Sequence, residues 1–195
     1  MTSRTATIER RTNETSIDLT LDLDGSGRSE IRTGLGFLDH MLAALARHAG
    51  FDLRLSCRGD LHVDDHHTAE DCALALGTAI DQALEQRIGF ARFGSAYAPL
   101  DEALARAVVD FSGRACAVID LGLSRERLGD IACENLHHVL VSLAQSMRAA
   151  VHIDVLRGSN DHHRAEAAFK ALALALRQAL ARTASSDVPS TKGTL

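Results

Sequence analysis

The chain has 195 residues, 46% of them hydrophobic, and a net charge of -5 with its histidines neutral. That length suits one domain or two small halves around a common core, and the apolar content excludes a disordered chain. The acidic balance argues against a nucleic-acid or membrane-surface protein; no apolar run approaches the ~18 residues that span a bilayer, and no signal-peptide pattern opens the chain, so the cytoplasm is the expected setting.

Residues 4–10 and 15–23 alternate as strands, with Ile17, Leu19, Leu21 and Leu23 keeping a period of two. Asp24-Gly25-Ser26-Gly27 makes a turn into a short strand near residues 29–32, which reads as the close of a hairpin. Leu38, Leu42, Leu45 and Ala46 share one face of a helix over 37–48 that Gly50 stops, and Phe51, Leu53 and Leu55 alternate as the next strand. An Ala/Leu-rich helix follows from about 66 to 86, so this half reads β-β-α-β-α. The second half repeats the order: strands over 104–111 and 115–121 around Ser112-Gly113-Arg114, a helix over 134–149, a strand over 151–156 and a helix over 162–182. Residues 185–195 form a polar tail with no core pattern. Cys57, Cys72, Cys116 and Cys133 contain no Cys-x-x-Cys pair and read as four small buried thiols.

The two long helices open on one shared pattern, His66-His67-Thr68-Ala69-Glu70 and His162-His163-Arg164-Ala165-Glu166, 96 residues apart. Asp65 and Asp161 precede the copies as expected helix caps. Leu38, His40, Leu42, Leu45 and Ala46 fall on Leu136, His138, Leu140, Leu143 and Ala144 at an offset of 98, so duplication is the economical account. The expected fold is α+β: one domain over 1–195 built from two repeats, about 1–95 and 96–182, related by a pseudo-twofold, plus a tail over 183–195. The motif helices are apolar nearly all round, which calls for packing between two sheets and for subunit contacts.

On a helix, residues i and i+4 share a face while neighbours point about 100° apart. His66 with Glu70, and His162 with Glu166, can each chelate one ion, whereas His67 and His163 aim elsewhere and would serve the other copy's ion. His40 and His138 would each add one imidazole. One such cluster alone reads as a solvated first turn; two copies with repeat-matched histidines point to metal. Imidazole and carboxylate ligands suit Mn, Fe or Zn, and open octahedral positions favour Mn or Fe. His152 reads as a core histidine or a partner that orients a ligand, His48, His62 and His137 as surface, and Asp71, facing Ala167 in the repeat, as no ligand. A metal-dependent phosphohydrolase and a non-catalytic metal-storage protein remain as rival readings.

With these residues in view, the chain resembles the imidazoleglycerol-phosphate dehydratase family of histidine biosynthesis. The resemblance covers nearly the whole length, through Arg10-Arg11-Thr12-Asn13-Glu14-Thr15, Gly36-Phe37-Leu38-Asp39-His40-Met41-Leu42, Asp64-Asp65-His66-His67-Thr68-Ala69-Glu70-Asp71, Pro99-Leu100-Asp101-Glu102-Ala103-Leu104, Ser112-Gly113-Arg114, Asn160-Asp161-His162-His163, Phe169-Lys170-Ala171 and Ser190-Thr191-Lys192-Gly193. It implies a duplicated fold of the class named for the second domain of a ribosomal protein. It also implies two Mn2+ ions per active site and a shell of 24 subunits with sites shared at interfaces, with no phosphatase domain attached. His40, His66, His67, Glu70, His138, His162, His163 and Glu166 are then the metal ligands, and Glu14 the proton carrier. Arg92, Arg114, Lys170, Ser190 and Lys192 bind the substrate phosphate, so the tail belongs to the substrate site. Lys170 and Lys192 are the only lysines, and both fall on phosphate positions.

The implied reaction removes water from D-erythro-imidazole-glycerol phosphate to give imidazole-acetol phosphate. The carbon that loses its proton has no neighbouring carbonyl, so the imidazole ring has to supply the electrons. A metal-bound ring loses its N–H proton more readily, and the imidazolate expels the hydroxyl through a diazafulvene; a second proton loss gives an enol and then the ketone. The chain departs from the family at Ala44, where Gln is usual, at Ala115 in place of Pro, and at Val139-Leu140 in place of an aromatic pair.

Overall fold

A computed structural model describes residues 3–185 and 187–195; Met1, Thr2 and Ser186, the last within the expected tail, lie outside the described residues. The first half runs β1 (Thr5–Arg11), β2 (Thr15–Asp22), β3 (Ser29–Arg32), α1 (Gly36–Ala49), β4 (Asp52–Gly59) and α2 (His66–Leu84). The second runs β5 (Phe93–Leu100), β6 (Ala103–Asp110), β7 (Cys116–Asp120), the small hairpin β8 (Arg127–Leu128) and β9 (Ile131–Ala132), α3 (Cys133–Ser146), β10 (Ala150–Arg157) and α4 (Asp161–Ala179). The two four-stranded sheets have the orders β1-β2-β4-β3 and β5-β6-β10-β7. They match position for position, so the duplication is visible in topology as well as in motif.

In each sheet the last pair is parallel and the others antiparallel. Parallel neighbours need a crossover, and α1 and α3 supply it. This corrects the expected hairpin after Asp24-Gly25-Ser26-Gly27: β3 skips over β4 and does not pair with β2. The turn is instead held by Asp52, which accepts from the Ser26 and Arg28 amides at 2.7 and 3.0 Å. A period-two pattern reveals a strand's faces but not its neighbours.

Strand β5 was not expected at all. Its inward positions are Gly94, Ala96 and Ala98, while Phe93 and Tyr97 point outward, so hydrophobic size alternates opposite to burial. The reason lies in α4, which approaches so closely that a Cβ on Gly94 would strike the Ala175 carbonyl. Helix α1 ends as predicted, with Gly50 at φ 85°, a backbone conformation that glycine adopts without strain.

All four helices pack between the sheets. Helix α2 lies on β1 and β2, α4 on β5 and β6, and across the middle α2 meets α3 and α1 meets α4. Ala165, Ala167, Ala168, Phe169, Ala171, Leu172, Ala173, Ala175 and Leu176 are all buried, as the all-round apolar pattern required. At the α2/α3 contact a Cβ on Gly77 would stand 2.8 Å from the Leu143 carbonyl oxygen, so only glycine permits this spacing. The outer side of the second sheet leaves Phe93, Tyr97, Val108 and Val118 exposed.

The cysteine expectation holds for Cys72 and Cys133, but Cys57 is half-buried and Cys116, on the sheet-edge strand β7, is exposed; all four are free. No helix among the described residues is long and apolar enough to cross a membrane.

Candidate metal centre

The helix pairing of the core decides where the histidines meet. Helix α1 lies along α4, which brings His40 of the first half to the motif of the second. The His40 Nε2 is 3.1 Å and the His162 Nε2 3.2 Å from Glu166 Oε2. Helix α3 lies along α2, so His138 crosses the other way: its Nε2 is 3.1 Å from Glu70 Oε1, with His66 Nε2 3.8 Å from Glu70 Oε2. In each trio the potential ligand atoms lie within 4.8 Å of one another. Phe37 stands edge-on to the His162 ring at 5.1 Å between centroids, and Asp130 fixes the start of α1 by accepting from the Gly36 and Phe37 amides at 2.5 and 3.1 Å.

The neighbouring His67 and His163 join neither trio, as the ~100° step predicts. Their Nδ1 atoms lie 3.0 Å from Asp60 Oδ2 and 2.7 Å from Glu102 Oε2. Those carboxylates hold both imidazoles above the ordinary histidine pKa, with burial opposing. His66 Nδ1 is likewise 2.9 Å from Asn135 Oδ1. A ring whose Nδ1–H is engaged presents a lone pair at Nε2, the form a metal needs. Sequence reasoning missed Asp60, Asn135 and Glu102; Asn135 and Glu102 lie far from their histidines along the chain, and no spacing pattern connects them.

Asp65 and Asp161 do not cap the motif helices. Asp64 accepts from the His66 amide at 2.9 Å, and Asn160 accepts from the His162 and His163 amides at 2.9 and 3.4 Å. Buried Asp65 instead accepts from the Ala132 amide at 2.7 Å and Asn135 Nδ2 at 2.9 Å. Asp161 accepts from the Ser124 and Arg125 amides at 2.8 and 2.7 Å. Both carboxylates tie a motif helix to the chain leading into α3.

Charge at the second trio is set by Lys170, whose Nζ is 2.6 Å from Glu166 Oε1. Burial works against ionising Glu166, but the bonds from Lys170 and His40 outweigh it and hold the carboxyl at about 2. The chemistry of the donors fits a divalent ion: two imidazole nitrogens and a carboxylate per trio suit Mn, Fe or Zn. Within the chain neither His67 nor His163 adds a nitrogen to a trio.

The expected phosphate residues are not gathered in one place. Arg92 Nε is 2.7 Å from Asp110 Oδ1, Arg92 Nη1 donates to the Pro189 carbonyl at 2.7 Å, and its guanidinium covers the Phe93 ring at 4.6 Å. The tail folds back there: the Lys192 amide donates to Ser190 Oγ at 3.2 Å, Leu195 packs partly buried against the core, and exposed Arg114 follows Gly113, which abuts Leu195. The tail is therefore not without core contact. The Arg92 amide donates to the Ala179 carbonyl at the end of α4, nine residues beyond Lys170, or about 14 Å at 1.5 Å per residue. Lys170 thus sits with the metal trio, while Arg92 and the tail it holds through the Pro189 carbonyl lie by the far end of α4.

Glu14 lies at the β1–β2 tip, with Oε1 3.6 Å from His67 Nε2. His152 is exposed on β10, which corrects its reading as a core histidine; His62 and His137 are exposed and His48 is half-buried. Asp71 belongs to neither trio. Ala44 is one turn beyond His40 on the same face of α1.

A family model described as imidazoleglycerol-phosphate dehydratase matches residues 33–176. An imidazoleglycerol-phosphate dehydratase of Scheffersomyces stipitis is 53% identical over 220 aligned positions, covering 99% of each chain. The crystal structure of the Staphylococcus aureus enzyme superposes with a TM-score of 0.83 at 35% identity, covering 92% of this chain and 99% of that one. That of Pyrococcus furiosus gives 0.79 at 37% identity, covering 96% and 100%.

Proposed function

The chain belongs to the imidazoleglycerol-phosphate dehydratase family, hydro-lyases of histidine biosynthesis, and from that premise we propose how its residues divide the work. The observation that carries the reading is the crossing of His40 and His138 onto the opposite motif helices. Each trio would hold one Mn2+, two per active site, with His67 and His163 completing the sets from neighbouring copies. Bound ions supply Lewis acidity, easing loss of the proton from the imidazole ring of the substrate.

The chain's residues orient and discharge the rest. Asn135, Asp60 and Glu102 keep Nε2 of His66, His67 and His163 available by holding Nδ1. Glu14, at a hairpin tip beside His67, takes the proton from the side chain of D-erythro-imidazole-glycerol phosphate after the hydroxyl has left through a diazafulvene. Arg92, Arg114, Ser190 and Lys192 grip the phosphate from one copy, Arg with forked donors and Ser with a neutral one, while Lys170 does so beside the trio of another. The ~14 Å of α4 between Lys170 and the helix end that meets the Arg92 amide supports sites built from more than one subunit, as does the exposed apolar face on the second sheet. A 24-subunit shell, a single catalytic domain with residues 183–195 as the substrate-binding tail, and a cytoplasmic setting complete the proposal.

The test is to load the protein with Mn2+, add imidazole-glycerol phosphate and follow formation of imidazole-acetol phosphate. Ketone without free phosphate is expected. Release of inorganic phosphate would point to a phosphohydrolase, and metal binding without turnover would point to storage.

A further inference from the structure

The two hairpin tips beside the motif helices are tied down in opposite ways. The β5–β6 tip carries Glu102, whose carboxylate accepts from the Ser159 and Asn160 amides at 3.0 and 2.8 Å and lies 2.7 Å from His163 Nδ1. That side chain is used up in anchoring its own hairpin. The β1–β2 tip carries Glu14, and among the described residues no hydrogen bond reaches its carboxylate; 52% of the side chain is exposed.

This first tip is anchored from the helix instead. Asp71, 5% exposed, follows Glu70 on α2 and turns the other way. Its Oδ1 accepts from Arg10 Nη2 at 2.7 Å and its Oδ2 from the Thr15 hydroxyl. Arg10 and Thr15 bracket Glu14, and Thr12 closes the turn between them by accepting from the Glu14 and Thr15 amides at 3.1 and 2.9 Å. The repeat offers an internal contrast, because Ala167 stands where Asp71 would be and there the tip's own carboxylate does the fastening.

We propose that Asp71 is a positioning residue for the dehydration: acting through Arg10 and Thr15, it sets where Glu14 stands relative to His67 and leaves the Glu14 carboxylate free to face substrate. This rests on the role given to Glu14 above. A charge-assisted bond to a buried carboxylate is stiff, and an ångström of misplacement at a reacting group can cost ~100-fold in rate. One helix therefore presents Glu70 to the metal trio and, from the next residue, fixes the distance of the proton carrier.

The experiment compares Asp71→Asn, Glu14→Gln and the double variant in the Mn-loaded assembled enzyme, with metal content, Tm and amide exchange of residues 12–15 measured alongside kcat and KM. Asp71→Asn is expected to lower kcat ~10- to 100-fold, to leave KM and metal content near wild type, and to speed exchange at the tip. The double variant should be no slower than Glu14→Gln alone, since the two act on one step. A double variant slowed by the full Asp71→Asn factor overturns the proposal, as does an Asp71→Asn enzyme within about twofold of wild type. A fully active Glu14→Gln would overturn the Glu14 assignment itself, which keeps the two failures distinguishable. If Asp71→Asn does not fold, Thr15→Val removes one of the two bonds; a several-fold loss of kcat, absent in the Glu14→Gln background, is expected, and additive losses refute the idea.

Discussion

Asp65→Ala is the perturbation that probes the centre's support most directly. Asp65 is 4% exposed and receives the Ala132 amide, the Asn135 side chain and, at 3.2 Å, Arg127. The half-exposed Arg127 pair is worth less than ~1 kcal/mol. The buried Asn135 amide group and the part-buried Ala132 N–H decide the outcome, because a donor left unpaired costs up to ~1–3 kcal/mol. Part of this is offset because a desolvated carboxylate is no longer buried, so a net loss of about 2–4 kcal/mol is expected. Both donors reach the same oxygen, Oδ2, so Asp65→Asn can keep an acceptor for them and should lose less, chiefly the charge and the Arg127 bond. Burial raises the Asp65 pKa, but the bonds from Asn135 and Ala132 outweigh it and leave the group below its ordinary value. The sign follows: its stabilisation is present above the unfolded value of about 3.9 and fades as pH falls through the lower folded value. Urea denaturation at fixed protomer concentration and pH 7 measures the difference, since assembly makes stability concentration-dependent. Metal titration reads the second consequence: freed Asn135 no longer holds His66, and affinity at that trio should drop ~10- to 100-fold. A stability loss under ~1 kcal/mol with unchanged metal affinity would refute this account of the support.

Gly77→Val should push α3 from α2, destabilising the fold by ~1–3 kcal/mol and weakening metal at His66, Glu70 and His138 before the other trio; calorimetry and metal titration report it. Deleting residues 189–195 should raise KM strongly with metal content intact, and an unchanged KM would contradict the tail's phosphate role. His67→Ala should abolish turnover and weaken assembly, seen by native mass spectrometry. In metal-free protein, Glu102 raises the His163 pKa, so that pair stabilises below the unfolded value of about 6.5 and the benefit disappears as pH climbs through the folded value. Between pH 5.5 and 9 (about one unit below to a few above that value), the Tm of wild type should fall relative to Glu102→Gln; parallel profiles would count against the pair.

Local chemistry was legible because it is written in short-range periodicity. The His-x-x-x-Glu spacing puts both groups on one helical face, the matched His40 and His138 mark equivalent turns of equivalent helices, and repetition of both exposes the duplication. The polar partners were not legible. Asp60, Asn135 and Glu102 are ordinary polar residues until folding sets them against a histidine, and Asp65, which reads as a cap, serves a loop of the other half.

The order of the repeats, the faces of the motif helices and the ligand types are thus properties of the sequence by itself. The tertiary structure decided that each half lends a histidine to the other's motif, that β3 lies beyond β4, and that a strand of small inward residues lies beneath α4. Side-chain periodicity records which way a segment faces. What it faces depends on the close approach of surfaces distant in the chain, and that is settled only when glycines such as Gly77 and Gly94 let backbones meet.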